Sequence, residues 1–476
     1  MRNNIKNGAV RVLSLVVDML LVGFVFYYTD LFIQNFINES CFCYENVIIA
    51  EALNVFFFYM FDLYAAKEGS REQTVISVVL SSVITAVCGA IISIFVFDKY
   101  TLAFTVSLVV TLMISLVLWR LILSFALVRF REKNKILILE SSKVPTRLAR
   151  KLKYSCTNVN EAWYYILDED NDEDYKYVVD KLIDEYDTVF ISEEFCDDIQ
   201  NGLFEKALLA NKTVNLLAVP ANVSLMGGRI YQFEDTPVIE LGSIYMEKHQ
   251  KFLKRAFDLF VAAVGLIITS PFFLIIPIFI KLDSPGPVFY TQERYTVGKK
   301  RFKLYKFRTM CQDAEKNGEM LATKNDSRIT RVGNVLRKLR LDELPQFLNI
   351  LAGSMSVVGP RPERPVFADE FCEKVRHYNM RYTMKAGLTG YAQVYGKYNT
   401  RVSDKILMDM IYAIKYSFWL DIKLVILTVK TMFVKDSTEG VDENFDEFSE
   451  GDEKEAMRKG NTAVLHNIKT EETVMK

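Results

Sequence analysis

The sequence predicts an α-helical membrane bundle at the N-terminus, a Rossmann-like α/β middle domain, and a C-terminal domain entered through one more apolar helix. Three observations predict this order. Four apolar runs, each near the length of a membrane span, fill residues 12–128. Strand and helix patterns then alternate from about 134 to 245. Charge is segregated: half of the 476 residues are hydrophobic and a quarter are charged, with a net charge of only −1 and a mean hydropathy of +0.12. That balance excludes a uniformly basic nucleic-acid binder and a uniformly acidic solvating chain. It permits strong local fields of opposite sign.

The four runs lie near 12–30, 46–64, 74–97 and 101–128. A bilayer core takes ~20 residues of helix, and each run is about that long. The first is too long, and too closely followed by others, for a cleaved leader. Asp18, Glu51, Asp62 and Arg120 interrupt the runs. Charges inside a bundle pair with one another or mark a transport path. Four helices with so few charges make a poor path. Arg2, Lys6 and Arg11 precede the first run, and Arg129, Arg131, Lys133 and Lys135 follow the fourth, whereas residues 31–45 contain neither Lys nor Arg. The positive-inside rule therefore puts both ends of residues 1–133 in the cytoplasm.

Residues 135–140, 162–167, 188–192 and 213–220 read as buried strands of a parallel sheet, with helices near 143–154, 174–186 and 195–211 between them. The first strand is followed by Glu140-Ser141-Ser142-Lys143 rather than a glycine-rich turn. Without such glycines a backbone cannot approach a pyrophosphate closely. The domain spans 134–249. Its acidic stretch at 161–198 reads as a solvated face or a docking surface; a homodimer contact there stays open. The seven cysteines contain no CxxC, which disfavours a zinc site or disulfide framework.

Residues 256–280 form the further apolar run, flanked by Lys254, Arg255 and Lys281. Ser270-Pro271 falls mid-run and Pro277 follows. Proline removes a backbone hydrogen bond and bends a helix, and the Ser270 hydroxyl can satisfy a freed carbonyl. A crossing helix and a re-entrant one (255–281) both fit these residues.

Between 281 and 346 there are fifteen Lys and Arg against eight Asp and Glu. Six of the ten residues from Lys299 to Arg308 are cationic, with Phe302, Leu304 and Phe307 interleaved. This predicts a half-buried strand with a basic face for phosphates or for anionic lipid. Arg337-Lys338-Leu339-Arg340 runs into Leu341-Asp342-Glu343-Leu344-Pro345-Gln346. Asp342 stands where it could merely cap the next helix. Alternatively, the helix N-terminus and the arginines keep a carboxylate ionised beside a bound phosphate. Vicinal Asp342 and Glu343 can also share Mg²⁺. Gly359-Pro360-Arg361-Pro362-Glu363 is a stiff loop presenting Arg361, which suits a phosphate or a plain surface turn.

These segments resemble the bacterial sugar transferase family, the polyprenyl-phosphate hexose-1-phosphate transferases. The resemblance covers about 250–435. It runs from Lys254-Arg255-Ala256-Phe257-Asp258-Leu259 through Asp283-Ser284-Pro285-Gly286-Pro287, Gln292-Glu293-Arg294, Lys306-Phe307-Arg308-Thr309-Met310 and Arg328-Ile329-Thr330-Arg331-Val332-Gly333. It continues through the Asp342-Glu343 pair and the Pro360–Pro362 loop to Gly387-Leu388-Thr389-Gly390 and Trp419-Leu420-Asp421. The helical front and Rossmann-like middle are similar to the long undecaprenyl-phosphate glucose or galactose phosphotransferases. The chain departs from the family at Tyr295-Thr296-Val297-Gly298, Asp326-Ser327 and Lys385-Ala386-Gly387.

The resemblance implies a re-entrant helix broken at Ser270-Pro271 and a mainly α-helical monotopic catalytic domain in the cytoplasm, on a bacterial inner membrane. It implies transfer of a hexose 1-phosphate from a UDP-hexose to undecaprenyl phosphate. This is the first membrane step of exopolysaccharide, capsule or O-antigen synthesis. Asp342 would be the nucleophile and Glu343 the Mg²⁺ partner. Lys306, Arg308, Arg337 and Arg361 would contact phosphates, with Asp409 and Asp421 as later carboxylates. The rival from another class is a non-catalytic membrane scaffold for polysaccharide assembly. Residues 436–476, with twelve acids and five bases, read as a disordered tail.

Overall fold

The computed structural model describes residues 2–37, 44–64, 71–96, 102–130, 135–142, 161–192, 195–216, 218–233, 236–241, 243–311, 326, 328–396, 400–432 and 464–467. Helices α1 (Arg2–Ile37), α2 (Tyr44–Met60), α3 (Arg71–Val96) and α4 (Leu102–Phe130) form the bundle. Its core is apolar, with Phe26, Phe58, Val78 and Leu116 fully buried. Arg120 pairs with Asp18 at 2.6 Å inside it, so these charges are spent on each other. α1, α3 and α4 contain stretches long and apolar enough to cross a membrane. α2 is shorter than its apolar run: the chain leaves the helix after Met60 and turns, with Asp62 at φ 59°.

The middle domain is a parallel sheet. β1 (Ile136–Ser141) lies between β2 (Glu161–Leu167) and β3 (Thr188–Ile191), and β4 (Thr213–Leu216) pairs with β3. α5 (Asp172–Tyr177), which runs on through a π-helical turn, and α6 (Asp197–Leu209) cover it. β1 is buried along its whole length, as the continuous apolar run KILILE predicts. The fourth strand stops at Leu216, because Pro220 opens a short helix, α7 (Pro220–Leu225). The helix expected near 143–154 lies outside the described residues. Val223 of α7 packs with Tyr295, Phe371 and Tyr378, so the chain joins the next domain well before residue 249. The hairpin β5 (Arg229–Phe233) and β6 (Thr236–Glu240) follows.

The tail corrects one expectation. Val464–Asn467 form a strand parallel to β2, numbered β11 below, that extends the sheet at its edge. The local apolar pair Val464-Leu465 was submerged in an acidic composition. Residues 433–463 and 468–476 lie outside the described residues.

The C-terminal domain begins with α8 (Lys248–Asp283), continuous across Pro271 and Pro277. Straight, 36 residues at ~1.5 Å each would extend ~54 Å. Both halves nevertheless seat on the same domain. Asp258 accepts bonds from the Ser356 hydroxyl and the Val357 N–H, both at 2.9 Å. Arg255 donates to the carbonyls of Ile350 and Leu351. A side chain at Gly265 would strike the Phe347 ring, so glycine permits that close approach. Further along, Ile276 and Ile280 pack on Phe307 and Leu336, and Asp283 accepts the Val332 N–H at 3.0 Å. Between these seats Ile267, Ile268 and Leu274 are exposed.

The long antiparallel hairpin of β7 (Phe289–Thr296) and β8 (Lys300–Phe307) comes next. Then follow α9 (Arg331–Lys338), a 3₁₀ turn at Leu341–Glu343, and α10 (Gln346–Ala352), stopped by Gly353 at φ 85°. β9 (Ser356–Val358) pairs in parallel with β10 (Gly387–Thr389) around α11 (Pro365–Lys374). α12 (Tyr391–Tyr395), α13 (Val402–Ile414) and α14 (Phe418–Thr431) complete the domain. α14 also touches the bundle: Leu427 packs with Phe57 and Phe61, and Lys423 lies 2.5 Å from Asp62.

Candidate active site

The basic strand predicted at 299–308 is β8, with Leu304 and Phe307 turned into the core. Asn349 of α10 clamps it by accepting the Tyr305 N–H at 3.0 Å and donating to the Lys303 carbonyl at 2.7 Å. That fixes the neighbouring Lys306 over the 3₁₀ turn. Lys306 Nζ lies 2.8 Å from Glu343 Oε1 and 4.0 Å from Asp342 Oδ2.

Asp342 does not cap α10; Pro345 holds that position. Asp342 and Glu343 sit in the turn before it, reached through Arg340 in the left-handed region at φ 54°. Such a backbone costs a side-chain-bearing residue ~1–2 kcal/mol, and here it reverses the chain so that both carboxylates face β8. Arg340 Nη1 and Arg361 Nη2 each stand 3.8 Å from a Glu343 oxygen. Arg340 was missed at the sequence level as a site residue. Its place between Arg337 and Asp342 was visible, but its backbone conformation was not.

The two carboxyls are driven apart. Burial pushes Asp342 up, and neighbouring Glu343 adds to this, while Lys306 and Arg337 pull it down only in part. Burial also acts on Glu343, but Lys306, Arg361 and Arg340 together outweigh it and hold Glu343 well below the usual carboxylate range. The surroundings thus favour the charge on Glu343 more than that on Asp342. Among the described residues no third His, Cys, Asp or Glu joins them. A magnesium ion here would have these two carboxylates and substrate phosphates as donors, a set that hard cation accepts.

The structure thus brings Lys306, Arg337 and Arg361 to the Asp342-Glu343 pair. It takes three predicted contacts elsewhere. Arg308 is 6% exposed and donates to the carbonyls of Ser284 and Pro285 at 2.7 and 2.8 Å, closing the C-terminal end of α8. Asp421 is buried, bonded to Lys254 at 2.8 Å and to the Tyr412 hydroxyl at 2.6 Å. Asp409 is buried 3.3 Å from Arg381. Its carboxyl is pushed up to about 6 by burial, with Arg381 opposing and Glu363 reinforcing. Ser270 does what its position suggested: its hydroxyl donates to the Ile267 carbonyl at 2.8 Å, the acceptor that Pro271 has no N–H to reach.

Comparison with known proteins places this domain in a family. The family model described as bacterial sugar transferase matches residues 249–435. The chain is 42% identical over 196 residues to a UDP-N-acetylgalactosamine-undecaprenyl-phosphate N-acetylgalactosaminephosphotransferase of Aeromonas hydrophila, covering 40% of this chain and 46% of the relative. It is 36% identical over 256 residues to a UDP-glucose:undecaprenyl-phosphate glucose-1-phosphate transferase of Escherichia coli (strain K12), covering 52% and 54%. The match thus spans about half the length of these two relatives. With an exopolysaccharide production protein of Rhizobium leguminosarum bv. phaseoli it is 40% identical over 186 residues, 37% of this chain and 93% of the relative. The fold and site define a protein with helices apolar enough to cross a membrane and a largely buried carboxylate pair faced by Lys306, Arg340 and Arg361. The chain belongs to the bacterial sugar transferase family.

Proposed function

We propose that this protein transfers a hexose 1-phosphate from a UDP-hexose to undecaprenyl phosphate in two displacements at Asp342. The Asp342 carboxylate attacks the β-phosphorus and forms an acyl-phosphate bond, the bond to the bridging oxygen breaks, and UMP leaves. An oxygen of undecaprenyl phosphate then attacks the same phosphorus and releases the carboxylate, giving undecaprenyl-diphospho-hexose. Splitting one transfer in two is nucleophilic catalysis. The observation that carries the reading is the largely buried Asp342-Glu343 pair with Lys306, Arg340 and Arg361 within 4.0 Å of its carboxylates and Arg337 lowering the Asp342 pKa.

The cations offset the diphosphate's charge and the charge that develops on the leaving UMP. Magnesium, held by Glu343 and Asp342, would supply further charge neutralisation on the diphosphate. Both ends of α8 rest on one domain, which supports a re-entrant helix with a Rossmann-like domain and a monotopic catalytic domain on the cytoplasmic side. α14 docks beside Asp62, at the bundle end where α3 starts with Arg71, and this supports the same orientation. The relatives' names, two with undecaprenyl phosphate as acceptor and one an exopolysaccharide production protein, support a role in polysaccharide synthesis, which we place at its first membrane step on a bacterial inner membrane.

The test is UMP release from a panel of UDP-hexoses with undecaprenyl phosphate and Mg²⁺. Asp342→Asn is expected to lower turnover by ~10³-fold or more, as loss of a nucleophile does. Unchanged turnover would sink the assignment.

A further inference from the structure

Three consecutive carbonyls of the Pro360–Pro362 loop are held from behind. The Gly387 N–H donates to the Pro360 carbonyl at 2.9 Å. Arg381 Nη2 donates to the Arg361 carbonyl at 3.1 Å, and Arg294 Nη1 to the Pro362 carbonyl at 3.0 Å. Two of the three residues are prolines without an N–H, so carbonyls are the loop's main polar anchors.

Both arginines are built into the domain. Arg381 is 7% exposed, donates to the Tyr378 hydroxyl at 2.7 Å, and stands 5.0 Å above the Tyr378 ring and 3.3 Å from Asp409. Arg294 donates to Gln292 Oε1 at 2.7 Å and lies 3.8 Å from Glu363. Ion pairing alone would not require either guanidinium to give an N–H to this tripeptide's backbone. Arg361 points from the loop so held toward Glu343, 3.8 Å away.

We propose that Arg294 and Arg381 are positioning residues that fix the backbone of the Pro360–Pro362 loop and so aim Arg361 at the diphosphate beside Glu343. The inference rests on the phosphoryl-transfer reading of Asp342-Glu343. A guanidinium's planar fork can serve a carbonyl and a counter-ion together, whereas an ammonium is a point charge with a different reach. Arg→Lys at either position therefore keeps the charge and loses the loop contact.

The experiment measures UMP release by the full-length protein, with UDP-glucose and UDP-N-acetylgalactosamine as donors. It compares Arg361→Ala, Arg381→Lys, Arg294→Lys and the doubles that combine Arg361→Ala with each lysine variant. Each lysine variant alone is expected to lower kcat/KM by ~10-fold, and to change the residual rate of Arg361→Ala by less than ~2-fold, because the pair acts as one unit. Equal losses in both backgrounds would mean that the arginines act on folding or elsewhere, and would overturn the proposal. So would single lysine variants with full activity. If Arg381→Lys does not fold, as thermal unfolding would report, Arg294→Lys at the Pro362 carbonyl decides alone. An Arg361→Ala variant with full activity would leave nothing to aim and would overturn the proposal, whereas no UMP release by the wild type would instead strike at the transfer reading itself.

Discussion

At the scale of single residues, the surroundings push two adjacent carboxyls in opposite directions. In the proposed displacement Asp342 must be ionised to attack, and its raised pKa then puts the acid limb of the rate above the ordinary carboxylate value of 3.8. The sign for stability runs the other way. The folded chain holds that proton more tightly than the unfolded chain does, so this group's contribution is full below 3.8 and is lost as pH rises through the folded value. Lys306 lowers the Asp342 pKa. Lys306→Met should therefore move the acid limb of UMP release to higher pH, besides lowering the rate; an unmoved limb would remove Lys306 from the site. The sequence made Lys306, Arg361 and the carboxylate pair readable, because cations and acids in stiff or basic segments stand out from a membrane protein's background. It misplaced Arg308, Asp409 and Asp421. A charged residue looks alike in sequence whether it faces a substrate or a buried counter-ion, and the partners Arg381 and Lys254 are brought in by tertiary packing.

At the scale of elements, the hairpin and α8 depend on local devices. The turn between β7 and β8, where the chain departs from the family, has a single Gly298 at φ 65°, and Lys299 takes the next left-handed position at φ 57°. Lys299 is tied to Asp369 at 2.8 Å, which offsets the cost of a side chain there. α8 is secured at its base by the buried Lys254–Asp421 pair, whereas α14 meets the bundle through the partly exposed Lys423–Asp62 pair. Removing one partner of a buried pair strands a charge and costs ~3–5 kcal/mol, against ~0–1 kcal/mol for an exposed pair. Thermal unfolding of the detergent-solubilised protein should thus drop sharply for Lys254→Ala and little for Lys423→Ala. Pro271 and Ser270 act together on one carbonyl, that of Ile267. Pro271→Ala supplies the N–H that the Ile267 carbonyl lacks and completes the ladder. It should shift a cysteine placed near residue 285 toward labelling from outside intact cells; inward-only labelling in both forms would deny the proline that role.

At the scale of the whole molecule, apolar periodicity announced the bundle and the parallel sheet, since β1 and α1, α3 and α4 are nearly continuous hydrophobic runs. It could not announce β11, whose pairing with β2 joins residues 464–467 to residues 161–164. Truncation after Lys435 removes that strand and bares the β2 edge. Limited proteolysis of the middle domain should accelerate, while UMP release stays unchanged; unchanged proteolysis would mean that the tail strand adds nothing to the sheet.

The seats of α8 lie far downstream in the chain: Asp258 is held by Ser356 and Val357, and Lys254 by Asp421, 98 to 167 residues later. During synthesis the apolar helix leaves the ribosome before any of these partners exists. Its path at the membrane must then be chosen from what it carries itself, namely its basic flanks, Ser270 and the two prolines. The later contacts lock a decision already taken. A chain that chose wrongly would leave its carboxylate pair on the other side of the membrane, out of reach of the donor proposed for it.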